Sequence, residues 1–325
     1  MRAIIPVAGY GTRLRPHTYS LPKVLLNVAG KPILGHILDT LLLQGITQAT
    51  IIVGYMADLV QEYVTKNYDM DVTFVHQETP LGLGHSIWCA RETYGSEPVF
   101  IILGDTIFDV DLALAIGSKF NTLGVKEVED PRRFGVVELS KGFVTRLIEK
   151  PDVPTSHLAI VGLYHIVNSA LLKQCLDEIV EGNIRTRNEY QLTDALQMMV
   201  ERGEKFTTFP VDGWYDCGKP ETMLDTNKYL LERMTSPPVR EGTVIIPPVF
   251  IAENATIERS VIGPYATVAA GATVRDAQIR NSIVSDGATV TGSLLEDSII
   301  GNNAVVRGHF KRLNVGDSSE INYGA

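Results

Sequence analysis

The residues best suited to chemistry lie near the start of the chain, where glycines and cations follow an apolar run. The segment GYGTRLR at residues 9–15 comes directly after the apolar residues 3–8, and Pro22-Lys23 follows it. No Asp or Glu precedes Asp39, although the whole chain has a formal net charge of -9. Glycines let backbone N–H groups approach an anion closely, and cations neutralise it. The pattern therefore predicts a phosphate-binding loop.

Two familiar phosphate-binding motifs do not account for this loop. A Walker A loop requires Gly-Lys-Ser/Thr, which does not follow here, and Leu14 occupies the place of the third glycine in the dinucleotide-binding motif. A Gly-x-Gly sequence alone is also compatible with an ordinary tight turn, and Arg15 is compatible with a solvated charge at the rim. The interpretation therefore depends on the whole segment and on Lys23 after it.

A carboxylate at the end of another apolar run is a second candidate for chemistry. Asp105 follows Gly104 and the apolar residues 99–103. Mg²⁺ is commonly bound by one or two carboxylates together with phosphate oxygens. Asp105 is therefore a candidate metal ligand, and a helix or turn cap is the alternative role for an Asp at this place.

Elements that could position these groups alternate along the first two thirds of the chain. We predict strands at residues 3–8, 49–53, 72–75 and 99–103, and helices at residues 32–43, 57–66 and 84–93. This alternation is typical of a mostly parallel sheet with helices on both faces, in which ligands bind beyond the carboxyl ends of the strands. Because Pro6 lacks an N–H, we expect the first strand to bend or to stop pairing there.

A different pattern begins after about residue 234. Ser236-Pro237-Pro238 is typical of a linker, and alanines then recur at intervals of 17, 16 and 16 residues, at Ala255, Ala272, Ala288 and Ala304. Aliphatic residues recur every five or six positions, at Ile251, Ile257, Ile262, Val268, Val274, Ile279, Val284, Val290, Leu295, Ile300 and Val306. Such hexapeptide-like repeats predict a three-sided β-helix of about three coils, with a sandwich of short strands as the alternative.

Three short motifs carry a resemblance to a known family. The chain has TRLRPHT at residues 12–18, Pro22-Lys23, and GKP at residues 30–32. This set resembles the signature of nucleoside-diphosphate-sugar pyrophosphorylases, also called sugar-1-phosphate nucleotidyltransferases, and the similarity extends over residues 1 to about 235. Within the family, the chain is most similar to the long form of glucose-1-phosphate thymidylyltransferase, which has a C-terminal left-handed β-helix.

The resemblance implies an α/β architecture in two domains. Residues 1–235 would form a Rossmann-like nucleotidyltransferase domain with a mixed, mostly parallel sheet. Residues 236–243 would be a linker, and residues 244–325 would form a short left-handed β-helix of hexapeptide repeats. The open end of that helix would be capped by the tail of residues 310–325 or by another subunit. We expect the β-helix to make homo-oligomer contacts, which light scattering would test.

The resemblance also implies roles for particular residues. The catalytic residues would be Arg13, Lys23, Asp105 and Asp216, with Asp105 and Asp216 binding Mg²⁺. Arg13 would hold the triphosphate, and Lys23 the α-phosphate and the incoming phosphate. The nucleotide would be bound by Ala8, Gly9, Gly11, Thr12, Arg13, Gln77, Pro80 and Gly82. The sugar phosphate would be bound by Lys23, Gly135, Glu149, Lys150, Gly162 and Tyr164.

Some of these assignments have plain alternatives when the residues are considered alone. Considered alone, residues 79–84 are typical of an ordinary loop that leads into a helix. The amide of Gln77, just before this loop, could pair with a pyrimidine edge. The pair Glu149-Lys150 is equally typical of a solvated strand end. We interpret the histidines of this region as structural or peripheral: His17, His36, His76, His85, His157 and His165.

The implied reaction is attack by the phosphate of a sugar 1-phosphate on the α-phosphorus of a nucleoside triphosphate, with release of pyrophosphate. Since both substrates are anions, catalysis would consist largely of positioning and charge neutralisation. We expect dTTP or UTP and glucose 1-phosphate. Other pairs remain open, namely UTP with N-acetylglucosamine 1-phosphate and GTP with mannose 1-phosphate, because one methyl group in a pocket is worth only ~1–3 kcal/mol.

Two other functions remain as alternatives. A regulatory subunit without activity could bind nucleotide sugars, but it would not need to keep Arg13, Lys23, Asp105 and Asp216 together. A second activity, acyl transfer in the β-helix, would need a base there, and His309 is the only histidine beyond the linker.

Composition argues against several other classes of protein. The cysteines Cys89, Cys175 and Cys217 form no Cys-x-x-Cys pair, so a zinc site or a disulfide framework is not expected. Net acidity argues against nucleic-acid binding, and no apolar run approaches the ~20 residues of a membrane span. The N-terminal segment does not have the pattern of a signal peptide, and we expect a cytoplasmic protein.

Overall fold

The computed structural model describes residues 1–234 and 240–308. Contacts divide the chain into two compact units, Met1–Thr226 and a second unit that begins at Asn227. Residues 236–239 of the predicted linker, the predicted tail and His309 lie outside the described residues. Among the described helices, none is both long and apolar enough to cross a membrane.

The first unit consists of strands and helices that alternate as predicted. The helices are α1 (Ile33–Leu43), α2 (Ala57–Asn67), α3 (Leu83–Cys89), α4 (Ala113–Ile116), α5 (Ser169–Glu181), α6 (Leu192–Glu201) and α7 (Pro220–Glu232), the last of which continues into the second unit. The strands are β1 (Arg2–Pro6), β2 (Asn27–Val28), β3 (Lys31–Pro32), β4 (Gln48–Val53), β5 (Asp71–His76), β6 (Val99–Ile102), β7 (Thr106–Asp109), β8 (Asn121–Glu127), β9 (Gly135–Ser140), β10 (Phe143–Glu149), β11 (Leu158–Ile166), β12 (Phe206–Pro210) and β13 (Gly213–Asp216).

A nine-stranded mixed sheet forms the centre of this unit. Strands β6, β1, β4 and β5 are parallel and lie side by side, and β11 runs antiparallel to β6. Strand β1 is fully buried at Ala3, Ile4 and Ile5, which fits its continuous apolar run. The predicted strands and helices are confirmed, although α3 ends at Cys89 rather than at residue 93 and β1 ends at Pro6 rather than at residue 8. Because β1, β4, β5 and β6 are parallel, their carboxyl ends lie at one edge of the sheet.

The effect of Pro6 is also as expected. The ladder between β1 and β6 ends at Ile4, and β1 itself ends at Pro6. The next residue still bonds to β4 on the other side, where the Val7 N–H donates to the Ile52 carbonyl oxygen at 2.8 Å. The chain thus leaves the sheet immediately before the glycine-rich loop.

The second unit contains the predicted β-helix. Three parallel four-stranded sheets form its sides. The first side consists of β14 (Val244–Ile245), β17 (Val261–Ile262), β20 (Gln278–Arg280) and β23 (Leu294–Glu296). The second consists of β15 (Val249–Ile251), β18 (Ala266–Val268), β21 (Ile283–Val284) and β24 (Ile299–Ile300), and the third of β16 (Thr256–Glu258), β19 (Thr273–Arg275), β22 (Thr289–Thr291) and β25 (Val305–Arg307).

The register of these sheets explains the spacing in the sequence. Thr256 pairs with Thr273, Thr273 with Thr289, and Thr289 with Val305, so one coil takes 17, 16 and 16 residues in turn. The repeating aliphatic residues point inward, and Val268, Val274 and Ile279 are completely buried. The prediction of about three coils was wrong, since residues 240–308 alone contain four strands in each sheet and therefore four coils. Ile251 and Ile257 of the first coil were already among the repeating residues, and only Ile245 was not.

Candidate active site

The glycine-rich loop after β1 forms one wall of a cavity of about 250 Å³. The cavity is lined by Pro6, Val7, Gly9, Gly11, Thr12, Arg13, Lys23, Val24 and Asp105. Leu14 is completely buried and anchors the short turn Thr12–Leu14, while Arg13 stays exposed beside it. The structure therefore places the predicted cations and glycines around one shared cavity.

Gly11 is required in this loop for two reasons. Its φ of +60° lies in the left-handed region, and a Cβ at this position would come within 3.0 Å of Thr18 Cγ2 and Lys23 Cβ. The Thr18 hydroxyl also donates to the Gly11 carbonyl oxygen at 2.9 Å. These contacts hold the loop directly against the segment that carries Lys23.

Asp105 and Asp216 lie far apart in the sequence but are brought together by two short strands. Asp105 stands between β6 and β7, and β7 pairs with β13 so that Thr106 lies opposite Asp216. The Cys217 N–H also donates to the Asp105 carbonyl oxygen at 3.1 Å. The pairing of β7 with β13 is thus what assembles the carboxylate pair.

Lys23 lies between these two carboxylates. Its Nζ is 2.7 Å from Asp105 Oδ2 and 3.8 Å from Asp216 Oδ1. The Lys23 side chain is only 9% exposed, whereas those of Asp105 and Asp216 are 42% and 41% exposed. The Lys23 side chain is therefore buried against the two carboxylates, which themselves remain accessible to a ligand.

The charges of this group determine the ionisation of Asp105. Desolvation raises the pKa of this carboxyl, but the nearby Lys23 ammonium and the Thr106 hydroxyl outweigh it and leave the pKa below its ordinary value. Thr106 Oγ1 donates to Asp105 Oδ1 at 3.1 Å. Asp105 is consequently an anion at neutral pH, as a metal ligand must be.

Gly218 allows Arg13 and Asp216 to approach each other. A Cβ built on Gly218 would lie 2.8 Å from Arg13 Nη2 and 2.8 Å from both carboxylate oxygens of Asp216. Both side chains thus occupy the space that any larger residue at position 218 would fill. This places the guanidinium of the loop next to the second carboxylate.

A second group of predicted residues lies on the hairpin of β9 and β10. Gly135 pairs with Glu149 across this hairpin, and Lys150 Nζ lies 3.2 Å from Glu149 Oε1. Burial and the nearby Glu149 carboxylate raise the pKa of the Tyr164 phenol, which therefore stays protonated. Gly135, Glu149, Lys150 and Tyr164 thus lie close together, and there is little room beside Gly135.

Thr193 belongs to this cluster and was missed by the sequence reasoning. Its hydroxyl donates to Glu149 Oε2 at 2.6 Å, and a Cβ on Gly135 would come within 3.1 Å of the same oxygen atom of Thr193. The neighbouring Asp194 has a raised pKa because of burial, with a smaller contribution from Glu149. The sequence gives no signal for this contact, since Thr193 lies in an ordinary helical segment.

A third group surrounds the loop that precedes α3. Gly82 has a φ of +113°, and a Cβ there would come within 2.5 Å of the Tyr190 carbonyl oxygen. The Gly84 N–H donates to that oxygen at 2.8 Å. Gln77 is almost completely buried, and its Nε2 lies 2.9 Å from Nδ1 of His85. Pro80 is exposed at the rim of this loop.

Packing contacts connect the three groups within the first unit. Phe134, next to Gly135, packs edge-on against Trp214 with ring centroids 4.8 Å apart. The backbone N–H of Gln77 donates to the Val53 carbonyl oxygen. Gly54, which follows Val53, packs against the backbone of Ala8. Gly162 similarly packs against Leu103, just before Asp105. Among the described contacts, no hydrogen bond joins side chains of one group directly to those of another.

The donor set at the two aspartates fits Mg²⁺. Asp105 lines the cavity together with the glycine-rich loop, and Asp216 lies on the other side of Lys23, with both carboxylates partly exposed. Mg²⁺ typically takes one or two carboxylates and completes its coordination with phosphate oxygens and water. Within the described part of the chain, no group of three or more His, Cys, Asp and Glu side chains could hold a metal ion without such additional ligands.

Cys217, which follows Asp216 directly, is not in a reactive form. Burial raises the pKa of the Cys217 thiol to about 12, and its sulfur faces the Thr226 hydroxyl. All three cysteines are free. The arrangement can therefore hold and neutralise phosphate groups, but it does not suggest a covalent intermediate.

Comparisons with known proteins agree with this geometry. The model of a family described as nucleotidyl transferase matches residues 2–233. The chain is 32% identical over 318 residues to the low-salt glycan biosynthesis nucleotidyltransferase Agl11 of Haloferax volcanii, and the match covers 87% of each protein. It is 31% identical over 317 residues to a glucose-1-phosphate thymidylyltransferase of Streptomyces griseus, again over 87% of each.

A solved structure shares the architecture of the first unit. It is a Bacillus anthracis protein, assigned as a glucose-1-phosphate thymidylyltransferase and crystallised with a sucrose. It superimposes with a TM-score of 0.62 at 26% identity, over 73% of this chain and 98% of that chain.

Proposed function

The chain belongs to the nucleotidyl transferase family, and from that premise we propose that it transfers the nucleotidyl group of dTTP or UTP to glucose 1-phosphate. Membership confirms the predicted resemblance and makes the protein a sugar-1-phosphate nucleotidyltransferase. The observation that best supports the proposal is that Arg13, Lys23 and Asp105 line one cavity, while Asp216 lies 3.8 Å from the same Lys23 ammonium.

In the proposed reaction, a phosphate oxygen of the sugar 1-phosphate attacks the α-phosphorus of the triphosphate. The new bond forms as the bond from the α-phosphorus to the bridging oxygen breaks, and pyrophosphate leaves with that electron pair. Arg13, which stands exposed on the loop, would neutralise the leaving pyrophosphate. Lys23, fixed in the floor of the cavity, would neutralise the two phosphates that react.

The backbone of the glycine-rich loop would approach the triphosphate. Gly9 has no atom within 4 Å of the place where its Cβ would be, so this part of the loop is open to a ligand. Asp105 and Asp216 would hold Mg²⁺, which when bound supplies positive charge between the phosphate groups. The sugar would lie against Gly135, with Glu149 accepting hydrogen bonds from its hydroxyls and Lys150 pairing with its phosphate.

The test is a matrix of five nucleoside triphosphates against several sugar 1-phosphates, with pyrophosphate release measured with and without a chelator. We expect release with dTTP or UTP and glucose 1-phosphate, and none with chelator. Strong preference for N-acetylglucosamine 1-phosphate or for GTP with mannose 1-phosphate would correct the substrates. Binding of a nucleotide sugar without any pyrophosphate release would favour a regulatory subunit.

A further inference from the structure

His85 is in contact with Gln77, whose amide we expect to pair with a pyrimidine edge of the nucleobase. Gln77 Nε2 lies 2.9 Å from His85 Nδ1, and Gln77 is only 6% exposed. An amide nitrogen can only donate a hydrogen bond, so Nδ1 must carry a lone pair. This geometry requires a neutral imidazole with its proton on Nε2.

The ring of His85 has little freedom to turn away from this contact. It is stacked with Trp88 at a centroid distance of 5.7 Å and with Tyr190 at 6.1 Å, in both cases with planes inclined by 26°. Tyr190 is itself held by hydrogen bonds to Asn183 and Arg185. The stacking therefore fixes the plane of the ring, and the hydrogen bond with Gln77 fixes the edge that carries Nδ1 toward the amide.

Surrounding charges favour the neutral ring. Burial lowers the pKa of His85, and the positive charge of Arg185 lowers it further. The Arg185 guanidinium lies 4.3 Å from the centre of the Tyr190 ring, and Arg91 lies 3.9 Å from that of Trp88. The Cys89 thiol also faces the ring, at 3.9 Å, and burial raises the pKa of this thiol. No carboxylate of the described residues is within hydrogen-bonding or salt-bridge distance of the imidazole.

A fixed amide nitrogen leaves the amide oxygen fixed as well. No described residue donates to Gln77 Oε1, and this atom is not among the buried polar atoms that lack both a partner and solvent. Gln77 Oε1 is therefore an oriented hydrogen-bond acceptor that remains available to a ligand.

We propose that His85 is a positioning residue that fixes Gln77 as an acceptor and thereby selects bases with an N3–H, uracil and thymine, over cytosine. The inference rests on the proposed function. Uracil and thymine can donate N3–H to Gln77 Oε1, whereas cytosine held in the same pose would present the lone pair of its N3. A freely rotating amide could turn its nitrogen toward cytosine, but one fixed by His85 cannot.

The test compares kcat/KM for UTP, dTTP and CTP with glucose 1-phosphate in the parent and in His85→Phe. Phenylalanine keeps an aromatic ring between Trp88 and Tyr190 but offers no acceptor to Gln77. We expect the preference for UTP or dTTP over CTP to fall ~10-fold or more, since a mispaired buried polar group is what enforces such selectivity. Cys89→Ala, which removes another neighbour of the imidazole, should leave the ratio unchanged.

Two further measurements separate positioning from general damage. In the Gln77→Ala background, His85→Phe should have no additional effect on the ratio, because His85 acts only through that amide. In the parent, the preference should also decline as the pH falls through the lowered pKa of His85, since imidazolium Nδ1–H would donate to Gln77 Oε1. That pH dependence requires no variant to fold, and His85→Phe should abolish it.

Each outcome supports or overturns the inference. The role of His85 is overturned if the ratio of kcat/KM for UTP or dTTP to that for CTP is unchanged in an active His85→Phe protein, or does not vary with pH in the parent. Either result would leave the proposed function intact. A parent that prefers CTP overturns the role of His85 as well. Absence of pyrophosphate release from every triphosphate overturns the proposed function, and the role of His85 with it.

Discussion

Adding one methyl group at Gly218 should impair the reaction without unfolding the protein. In Gly218→Ala, the new Cβ would lie 2.8 Å from Arg13 Nη2 and from both oxygens of Asp216, whereas ordinary contacts are 3.4 Å or longer. Each of these atoms would have to retreat by roughly half an ångström. All three atoms belong to the ends of flexible side chains, so they can move, and the backbone need not change.

The size of the effect follows from the sensitivity of phosphoryl-transfer chemistry to position. A misplacement of ~1 Å can cost ~100-fold in rate, so a shift of half that size in both an arginine and a carboxylate should lower kcat by about tenfold. A factor of ten corresponds to about 1.4 kcal/mol in the activation barrier. The thermal midpoint should change little, because an alanine at an allowed φ does not by itself destabilise the chain.

The assay is pyrophosphate release at saturating substrates, accompanied by thermal unfolding of each variant. Gly117→Ala is a matched control, because it adds the same methyl group at a φ of −78° at the end of α4, where the closest atom is the Ala113 carbonyl oxygen at 3.3 Å. It should retain the parent kcat. If Gly218→Ala also stays within twofold of the parent, the premise that Arg13 and Asp216 must hold these positions is refuted.

Four other outcomes follow from the same geometry. Asp216→Asn should lower kcat at least ~100-fold and raise the Mg²⁺ concentration needed for half-maximal rate, and an unchanged Mg²⁺ requirement would contradict the proposed ligand role. Asp105→Asn should make the stability of the folded state less sensitive to acid. Because the pKa of Asp105 is lowered by folding, its carboxylate stabilises the folded state above pH ~4, and this contribution is lost as the pH falls through the pKa of the folded state. The free energies of unfolding of parent and variant, measured by denaturant titration, should therefore converge in acid. Thr193→Val should raise KM for the sugar 1-phosphate ~10-fold while KM for the triphosphate stays constant, and equal changes in both constants would argue against a sugar-side role. Ile279→Ala, in the buried core of the β-helix, should cost about 2–5 kcal/mol of stability in that unit, as measured by denaturant unfolding, without lowering kcat of protein that remains folded.

The fold was predictable because its signals are local. Strands β1, β4, β5 and β6 and helices α1 and α2 each follow from an apolar run or an apolar face in one short segment, and the spacing of one β-helix coil equals the observed register. The short strands β7 and β13 gave no such signal, although they assemble Asp105 and Asp216. Their pairing is a long-range contact that the spacing of residues within either segment does not encode.

The site was predictable only in part for the same reason. The phosphate-binding loop is a contiguous segment, so Gly9, Gly11 and Arg13 could be grouped from the sequence. Thr193 and His85 could not, because each lies on an ordinary helical segment and acquires a role only through a partner elsewhere in the chain. We interpreted His85 as structural or peripheral because it lacks the spacing of a metal ligand, and spacing carries no information about a contact with Gln77.

The charges at the site explain why the nucleotide should bring a divalent cation with it. Lys23 and Arg13 contribute two positive charges, and Asp105 and Asp216 two negative ones, so these four side chains cancel before any substrate binds. A triphosphate and a sugar phosphate then introduce several negative charges into a cavity of about 250 Å³. Unit charges ~4 Å apart repel by about 1 kcal/mol in water and by several times more where water is excluded. Removing one carboxylate would relieve some of this repulsion but would also remove a metal ligand. The two effects can be told apart, because the first improves binding of the triphosphate in the absence of Mg²⁺ and the second weakens it in the presence of Mg²⁺.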